Sequence, residues 1–284
     1  MFGRERFTLK DGAQVRAMRA AGLVVAEALA AVRAAAQPGV TTAELDAVAE
    51  KVIRGAGAIP SFVGVDGGPG APPYPATTCI SVNDQIVHGI PGPRVLEPGD
   101  VLSVDCGAIV DGWHGDSAFS MVLDPADPAD VALVEATEAA MWAGIAALVP
   151  GERLGVVGDA IAARARAAAK ADGVRYGIVQ EYTGHGIGRE MHEAPTVLNY
   201  RARERGPRIR TGLCVAVEPM LTRGSRATDE LDDGWTVVTL DGSRAAHHEH
   251  TVAVTPGGLW VLTAPDGGAE RLGALGVTVA PWDE

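Results

Sequence analysis

Five side chains stand where a folded chain has little reason to put them unless they do chemistry. Asp105 closes the apolar run Val101-Leu102-Ser103-Val104, and Asp116 follows 11 residues later, beyond an Asp111-Gly112 turn signal. A carboxylate ending an apolar strand needs a partner or a cation, and on two arms of one hairpin these two can approach across the ladder. Such a pair repels, so a divalent ion is the simplest compensation; two aspartates at a hairpin mouth in water are the alternative. Glu218 follows Leu213-Cys214-Val215-Ala216-Val217 and precedes Pro219, again a carboxylate at a strand end. Glu249 lies within His247-His248-Glu249-His250. Alternate residues of a strand share a face, so either Glu249 points inward with Thr251 or His248 and His250 do; completing a set of four carboxylates favours Glu249. His185 sits in Gly184-His185-Gly186-Ile187-Gly188, where glycines permit close backbone approach and can present an imidazole as ligand or hydrogen-bond donor.

Two divalent cations neutralise four carboxylates, and a ligand set of Asp105, Asp116, His185, Glu218 and Glu249 is too rich in oxygen for a lone zinc ion. A two-metal centre clamps a water, lowers its pKa and polarises the carbonyl it attacks. His88 and His192 remain as proton donors or oxyanion stabilisers, and Glu218 is our choice for taking the proton of the attacking water. The alternating glycines are not a dinucleotide fingerprint: its third glycine would fall at Arg189, and no helix-forming run follows.

The elements that must hold these residues are written twice. Helices are expected over 14–36 and, from a Thr41/Glu44 capping box, to residue 54, followed by a Gly- and Pro-rich loop over 60–78 and strands over 78–82, 101–110 and 114–122. A second round predicts helices over 127–148 and 154–171, then strands over 174–179, 213–217, 235–240, 247–254 and 259–262. Pro38-Gly39 and Pro150-Gly151 are offset by 112, and Gly99–Asp105 and Gly212–Glu218 by 113. His88-Gly89-Ile90-Pro91 and His192-Glu193-Ala194-Pro195 fall in the same order in each half. Two related α+β halves, about 14–122 and 127–263, facing each other would gather their polar residues around a common cleft.

Hydrophobic residues make up 47% and charged residues 21%, the balance of a globular chain. With 24 Lys and Arg against 36 Asp and Glu, the net charge of −12 repels phosphate and excludes nucleic acid as the main ligand. The five arginines between 201 and 210 read as a solvated loop. Cys79, Cys106 and Cys214 are too few and too scattered for a disulfide framework or a thiolate zinc site, and read as buried thiols of a reduced, cytoplasmic protein. No signal peptide or membrane span is expected.

Taken together, these motifs resemble those of the pita-bread metallopeptidases, and among them the type I methionine aminopeptidases. The resemblance runs over about residues 8–263: Ser81-Val82-Asn83-Asp84 before His88-Gly89-Ile90-Pro91, Asp111-Gly112-Trp113-His114-Gly115-Asp116, Gly184-His185-Gly186-Ile187-Gly188, His192-Glu193-Ala194-Pro195, Glu218-Pro219-Met220, Asp233-Gly234-Trp235-Thr236 and Glu249-His250-Thr251. It implies one catalytic domain over 1–284, with a central antiparallel sheet covered by helices. It implies two divalent ions, cobalt, manganese, iron or zinc, held by Asp105, Asp116, His185, Glu218 and Glu249, with Asp116 and Glu249 bridging. His88 would contact the amide on the leaving side of the scissile bond, and His192 would stabilise the tetrahedral intermediate. The implied reaction removes the initiator methionine from nascent polypeptides whose second residue is small. Tyr74, Cys79, Met191 and Trp235, with His88 and His192, are the expected substrate contacts.

The implied partner is the nascent polypeptide N-terminus, with transient ribosome association and a monomeric state carried as expectations. This chain departs from the family pattern in a longer 63–78 loop, with Val65 at an expected aromatic position, in Met191 where Phe is frequent, and in a tail after about 263 that reads as frayed. Two rivals are a proline-directed (Xaa-Pro) peptidase of the same fold and a binding protein that has lost catalysis; all five ligand positions argue against the second.

Overall fold

The computed structural model describes residues 7–68 and 70–282. Helix α1 (Gly12–Ala35) starts at Asp11, whose side chain accepts from Gln14 N while Gln14 answers to the Asp11 backbone; α2 (Thr42–Gly55) starts at the expected Thr41/Glu44 box. Asp127 caps α3 (Pro128–Ala146), with Pro128 at the first turn where its missing N–H costs nothing. Helix α4 (Val156–Asp172) stops at Gly173, φ 68°.

Nine antiparallel strands make the central sheet. Its path runs Ile59–Pro60, Val101–Val110, Trp113–Val122, Glu249–Val254, Cys214–Val217, Gly184–Gly186, Glu193–Val197, with Thr78–Val82 and Leu259–Val261 paired at its flanks. The Val101–Val110/Trp113–Val122 hairpin closes through Asp111 (φ 50°) and Gly112 (φ 75°), the paired positive dihedrals of a tight two-residue turn. The two halves of the chain join where Glu249 pairs with Ala118 and His250 with Ser117. Helices α1 and α2 cover an apolar core with the strands of the first half, including Ile80, Leu102 and Val104. Helices α3 and α4 cover a second with Val215, Val217, Val252 and Val254.

Differences from the sequence reading have local causes. The run 247–254 is not one strand. Ala245–His247 joins Met220–Thr222 and Gly177–Ile178 in a three-stranded sheet, while Glu249–Val254 stays in the central one. Its neighbour breaks at the same level, between Val217 and Met220, because Pro219 has no N–H to continue the ladder. The expected strand 174–179 shrinks to Gly177–Ile178 at the edge of that small sheet, and 235–240 to Val237–Thr239. Gly184–Gly186, expected as loop, is a strand held between Glu193–Val197 and Cys214–Val217. The tail is docked rather than frayed: α5 (Ala269–Ala274) buries Leu272 in the core under α3 and α4, and Val279 bridges to Leu259. No helix among the described residues is long and apolar enough to cross a membrane.

Helix α1 reaches the sheet through two glycines. A Cβ on Gly115 would lie 2.6 Å from Gly22 N, and one on Gly22 would lie 2.2 Å from the Leu262 carbonyl oxygen. Gly115→Ala is therefore expected to cost about 1–3 kcal/mol through overpacking, read as a lower urea midpoint. An unchanged midpoint would mean that α1 backs away freely.

Candidate metal centre

Hairpin register decides how the first two carboxylates meet. Asp105 pairs with Ala118 and Asp116 with Gly107, so the aspartates sit diagonally on one face, two residues apart along the ladder. Glu249 begins its strand opposite Ala118 and so joins them. Glu218 ends the neighbouring strand, its backbone oxygen accepting from Asn199 Nδ2 at 3.0 Å. His185 is the middle residue of Gly184–Gly186. Its Nδ1 lies 2.9 Å from Gly186 O; with that nitrogen donating, Nε2 is left with a lone pair facing Glu218 Oε1 at 3.4 Å and Asp116 Oδ2 at 4.0 Å. Glu249 does face inward, whereas His248 and His250 line a groove on the other side of the sheet.

All eleven residues expected at the site line one cavity of about 80 Å³: Asp105, Asp116, His185, Glu218, Glu249, His88, His192, Tyr74, Cys79, Met191 and Trp235. Val65 and Phe62 complete the wall; nothing in the sequence marks Phe62, because an apolar residue next to a loop carries no chemical signature. One end of the cavity is apolar, with Phe62, Tyr74, Ala76, Cys79 and Met191 packed together and Trp235 against them. Tyr74 lies edge-on to Trp235 at 5.0 Å and to Phe62 at 6.4 Å. The loop is tied down by its own polar groups: Tyr74 Oη lies 3.0 Å from both Thr78 O and Gly89 O, which share its one hydrogen, and Trp235 Nε1 donates to Pro72 O at 2.8 Å. His88, held at φ 60°, stands edge-on to Trp235 and Tyr182, and His192 stands edge-on to His185 at 4.5 Å. The groove behind the sheet is larger, about 770 Å³, but its acidic groups are dispersed and Glu138 is paired with Arg271.

The electrostatics of the smaller cavity are unfavourable without a cation. Burial first, then the neighbouring carboxylates, pushes Asp116, Glu218 and Glu249 well above the carboxylate range. Burial also raises Asp105 to about 7, although a hydrogen bond from Asp116 opposes the rise. Burial and then His192 hold His185 down to about 4, so its imidazole is neutral. Asp105 Oδ1, Asp116 Oδ1 and Glu249 Oε1 are buried without a hydrogen-bond partner among the described residues. No Lys or Arg lines the cavity among these residues. Ligand atoms of Asp116, His185 and Glu249 lie within 4.8 Å of one another. Partnerless carboxylate oxygens, a neutral imidazole aimed at them and no basic side chain form a donor set that fits divalent cations.

The chain matches the model of metallopeptidase family M24 over residues 16–256. It is 52% identical over 262 residues to methionine aminopeptidase 1 of Mycobacterium tuberculosis, covering 92% of this chain and 96% of that protein. It is 42% identical over 246 residues to methionine aminopeptidase 1 of Bacillus subtilis, covering 87% and 94%. The crystal structure of a methionine aminopeptidase from Thermotoga maritima matches with a TM-score of 0.83 at 36% identity, over 91% of this chain and 99% of that one.

Proposed function

The chain belongs to metallopeptidase family M24, and from that membership we propose that it is a methionine aminopeptidase, one catalytic domain that removes the initiator methionine from nascent polypeptides whose second residue is small. The observation that carries the reading is the pairing of three partnerless buried carboxylate oxygens with an adjoining apolar pocket of Phe62, Tyr74, Met191 and Trp235. Charge chemistry at one end and a slot for an unbranched apolar side chain at the other are what cleavage after methionine requires.

Asp105, Asp116, His185, Glu218 and Glu249 would hold two divalent ions, of cobalt, manganese, iron or zinc, with Asp116 and Glu249 at the heart of the set. The ions would lower the pKa of a water and polarise the scissile carbonyl. Glu218 would accept the proton of the attacking water, a role for which its place at the end of its strand inside the cavity suits it. His88 holds the amide on the leaving side, and His192 donates to the oxygen on which negative charge develops. Phe62, Tyr74 and Trp235 exclude water from the methionine side chain, and the flexible thioether of Met191 adapts to it. Nascent N-termini are the natural substrate of a monomer working in the cytoplasm, reached by transient ribosome association.

Metal-stripped protein reconstituted ion by ion should release methionine from Met-Ala-Ser and leave Xaa-Pro bonds intact; the opposite selectivity would establish the proline-directed rival. In the same assay Trp235→Ala is expected to raise KM for methionyl peptides about tenfold, the loss of roughly 1–3 kcal/mol of apolar contact, with kcat little changed. An unaltered KM would make Trp235 a packing residue only.

A further inference from the structure

His192 has no side-chain hydrogen bond among the described residues; its ring lies edge-on to His185, 4.5 Å between centroids. Its position therefore depends on the backbone that carries it. That backbone is fixed from outside the cavity. Glu193 Oε1 accepts the N–H groups of Arg189 at 2.9 Å and Glu190 at 3.2 Å, folding 188–193 into a closed turn that Gly188 N completes on Glu190 O at 3.0 Å. Glu193 Oε2 in turn meets Lys10 Nζ at 2.6 Å, across 183 residues of chain. Lys10 is 4% exposed, an unusual place for an ammonium group just before the first helix.

Both ends of this link are built for close approach. A Cβ on Gly188 would lie 2.5 Å from Glu193 Oε1 and 2.6 Å from Lys10 Cε, so the pair closes only over a glycine. The Lys10 backbone N–H donates to Gly212 O at 2.7 Å, where a Cβ on Gly212 would lie 2.4 Å from Lys10 O. Gly212 leads into the strand that ends at Glu218, and Gly188 O accepts from His114 N, two residues before Asp116, at 2.9 Å. Lys10 thus ties the turn bearing Met191 and His192 to the segment leading into the Glu218 strand, and Gly188 ties the same turn to the strand bearing Asp116. Buried ion pairs are poor devices for stability alone, and this one sits where three parts of the cavity wall must keep register.

We propose that Lys10 and Glu193 are a positioning pair for His192: their contact, buried on the Lys10 side, locks the 188–193 turn so that the imidazole is presented to the reacting carbonyl. The proposal rests on the role given to His192 above. Misplacing a reacting group by about 1 Å costs about a hundredfold in rate, so a loosened turn has a large kinetic reading.

The test is a cycle of Lys10→Met, His192→Ala and the double variant in the manganese-loaded full chain, with kcat and KM on Met-Ala-Ser, thermal melts and manganese binding isotherms. Lys10→Met is expected to lower kcat about ten- to a hundredfold with KM changed less than about twofold. Manganese affinity should stay unchanged, because the Lys10 side chain hydrogen-bonds to Glu193 and Thr8 and to none of the five proposed ligands. Lys10→Arg should recover most of the loss. In the His192→Ala background Lys10→Met should change kcat less than about twofold, since the group it positions is gone. The same fractional loss in both backgrounds, or a lower melting temperature with parental kcat, overturns the pair's role while leaving His192 in place. A His192→Ala protein with parental kcat overturns the role of His192 and the positioning proposal together. Should Lys10→Met fail to fold, Glu193→Gln, which keeps an oxygen for the two N–H groups but loses the charge, supplies the same comparison.

Discussion

Glu218→Ala protein loaded with manganese is expected to release methionine from Met-Ala-Ser at least about a thousandfold more slowly than the parent, the upper part of the range for losing a general base, and Asp116→Ala to do the same. The two losses have different causes. On the proposed roles, Glu218→Ala would remove both a donor to the cations and the acceptor for the water's proton. Asp116 sits among three other carboxylates and, with Glu249 and His185, brings candidate ligand atoms within 4.8 Å of one another. Neither change should unfold the chain. Glu218 anchors its neighbourhood through its backbone oxygen, to which Asn199 donates, and the Asp116 backbone N–H stays within 3.2 Å of Thr251 Oγ1. Circular dichroism should therefore match the parent. The metal-free variants should melt higher than the metal-free parent, because each removes one of four buried groups whose charges oppose one another. Parental turnover in either variant would remove that carboxylate from the reaction. Inactivity of the parent itself, reconstituted with every candidate ion, would favour the binding-protein reading.

How far the sequence displays this site depends on which residues carry a local signal. The strands Thr78–Val82 and Val101–Val110 have the bounds the sequence predicts, because β-rich runs there are flanked by clear turn signals. Asp105, Asp116, Glu218 and Glu249 are visible for the same reason: charge at the end of an apolar run is costly and so conspicuous. What stays hidden is decided by distant partners. Gly184–Gly186 has no strand propensity, and its extended form comes from pairing with Val197 and Val215. Met220–Thr222 is too short for a period of two to register. The cap at Asp11 is masked because Asp11-Gly12 reads as a turn. Phe62 reaches the cavity by the fold of the following loop, and Lys10 finds Glu193 at a separation no sequence pattern encodes.

The metal-free protein should be most stable near pH 6.5 and lose stability above it, while the metal-loaded protein should not. The sign follows from two opposed sets of groups. All seven histidines are held below the usual imidazole range, chiefly by burial: His88, His185 and His250 to about 4, His247 to about 3, and His114, His192 and His248 lowered as well. Their folded pKa values lie below the unfolded one, so between about pH 4 and 6.5 the unfolded chain takes up protons the native state refuses, and stability rises with pH. The four site carboxylates do the reverse. Raised by burial, Asp105 to about 7 and Asp116, Glu218 and Glu249 well above the ordinary carboxylate range, they keep protons in the native state that the unfolded chain has released above about pH 4. Below pH 6.5 the more numerous histidines offset them; above it they act alone, and stability falls by about 1.4 kcal/mol per pH unit for each proton retained. One or two retained protons between pH 6.5 and 8 amount to about 2–4 kcal/mol, or a melting temperature lower by roughly 5–10 °C. Cations that bind the ionised carboxylates displace those protons, so added manganese should stabilise more at pH 8 than at pH 6.5. Its binding enthalpy should vary with the ionisation enthalpy of the buffer. A metal-free melting temperature that stays level or rises from pH 6.5 to 8 would mean that the four carboxylates ionise freely side by side, and the electrostatic case for a cation between them would fail.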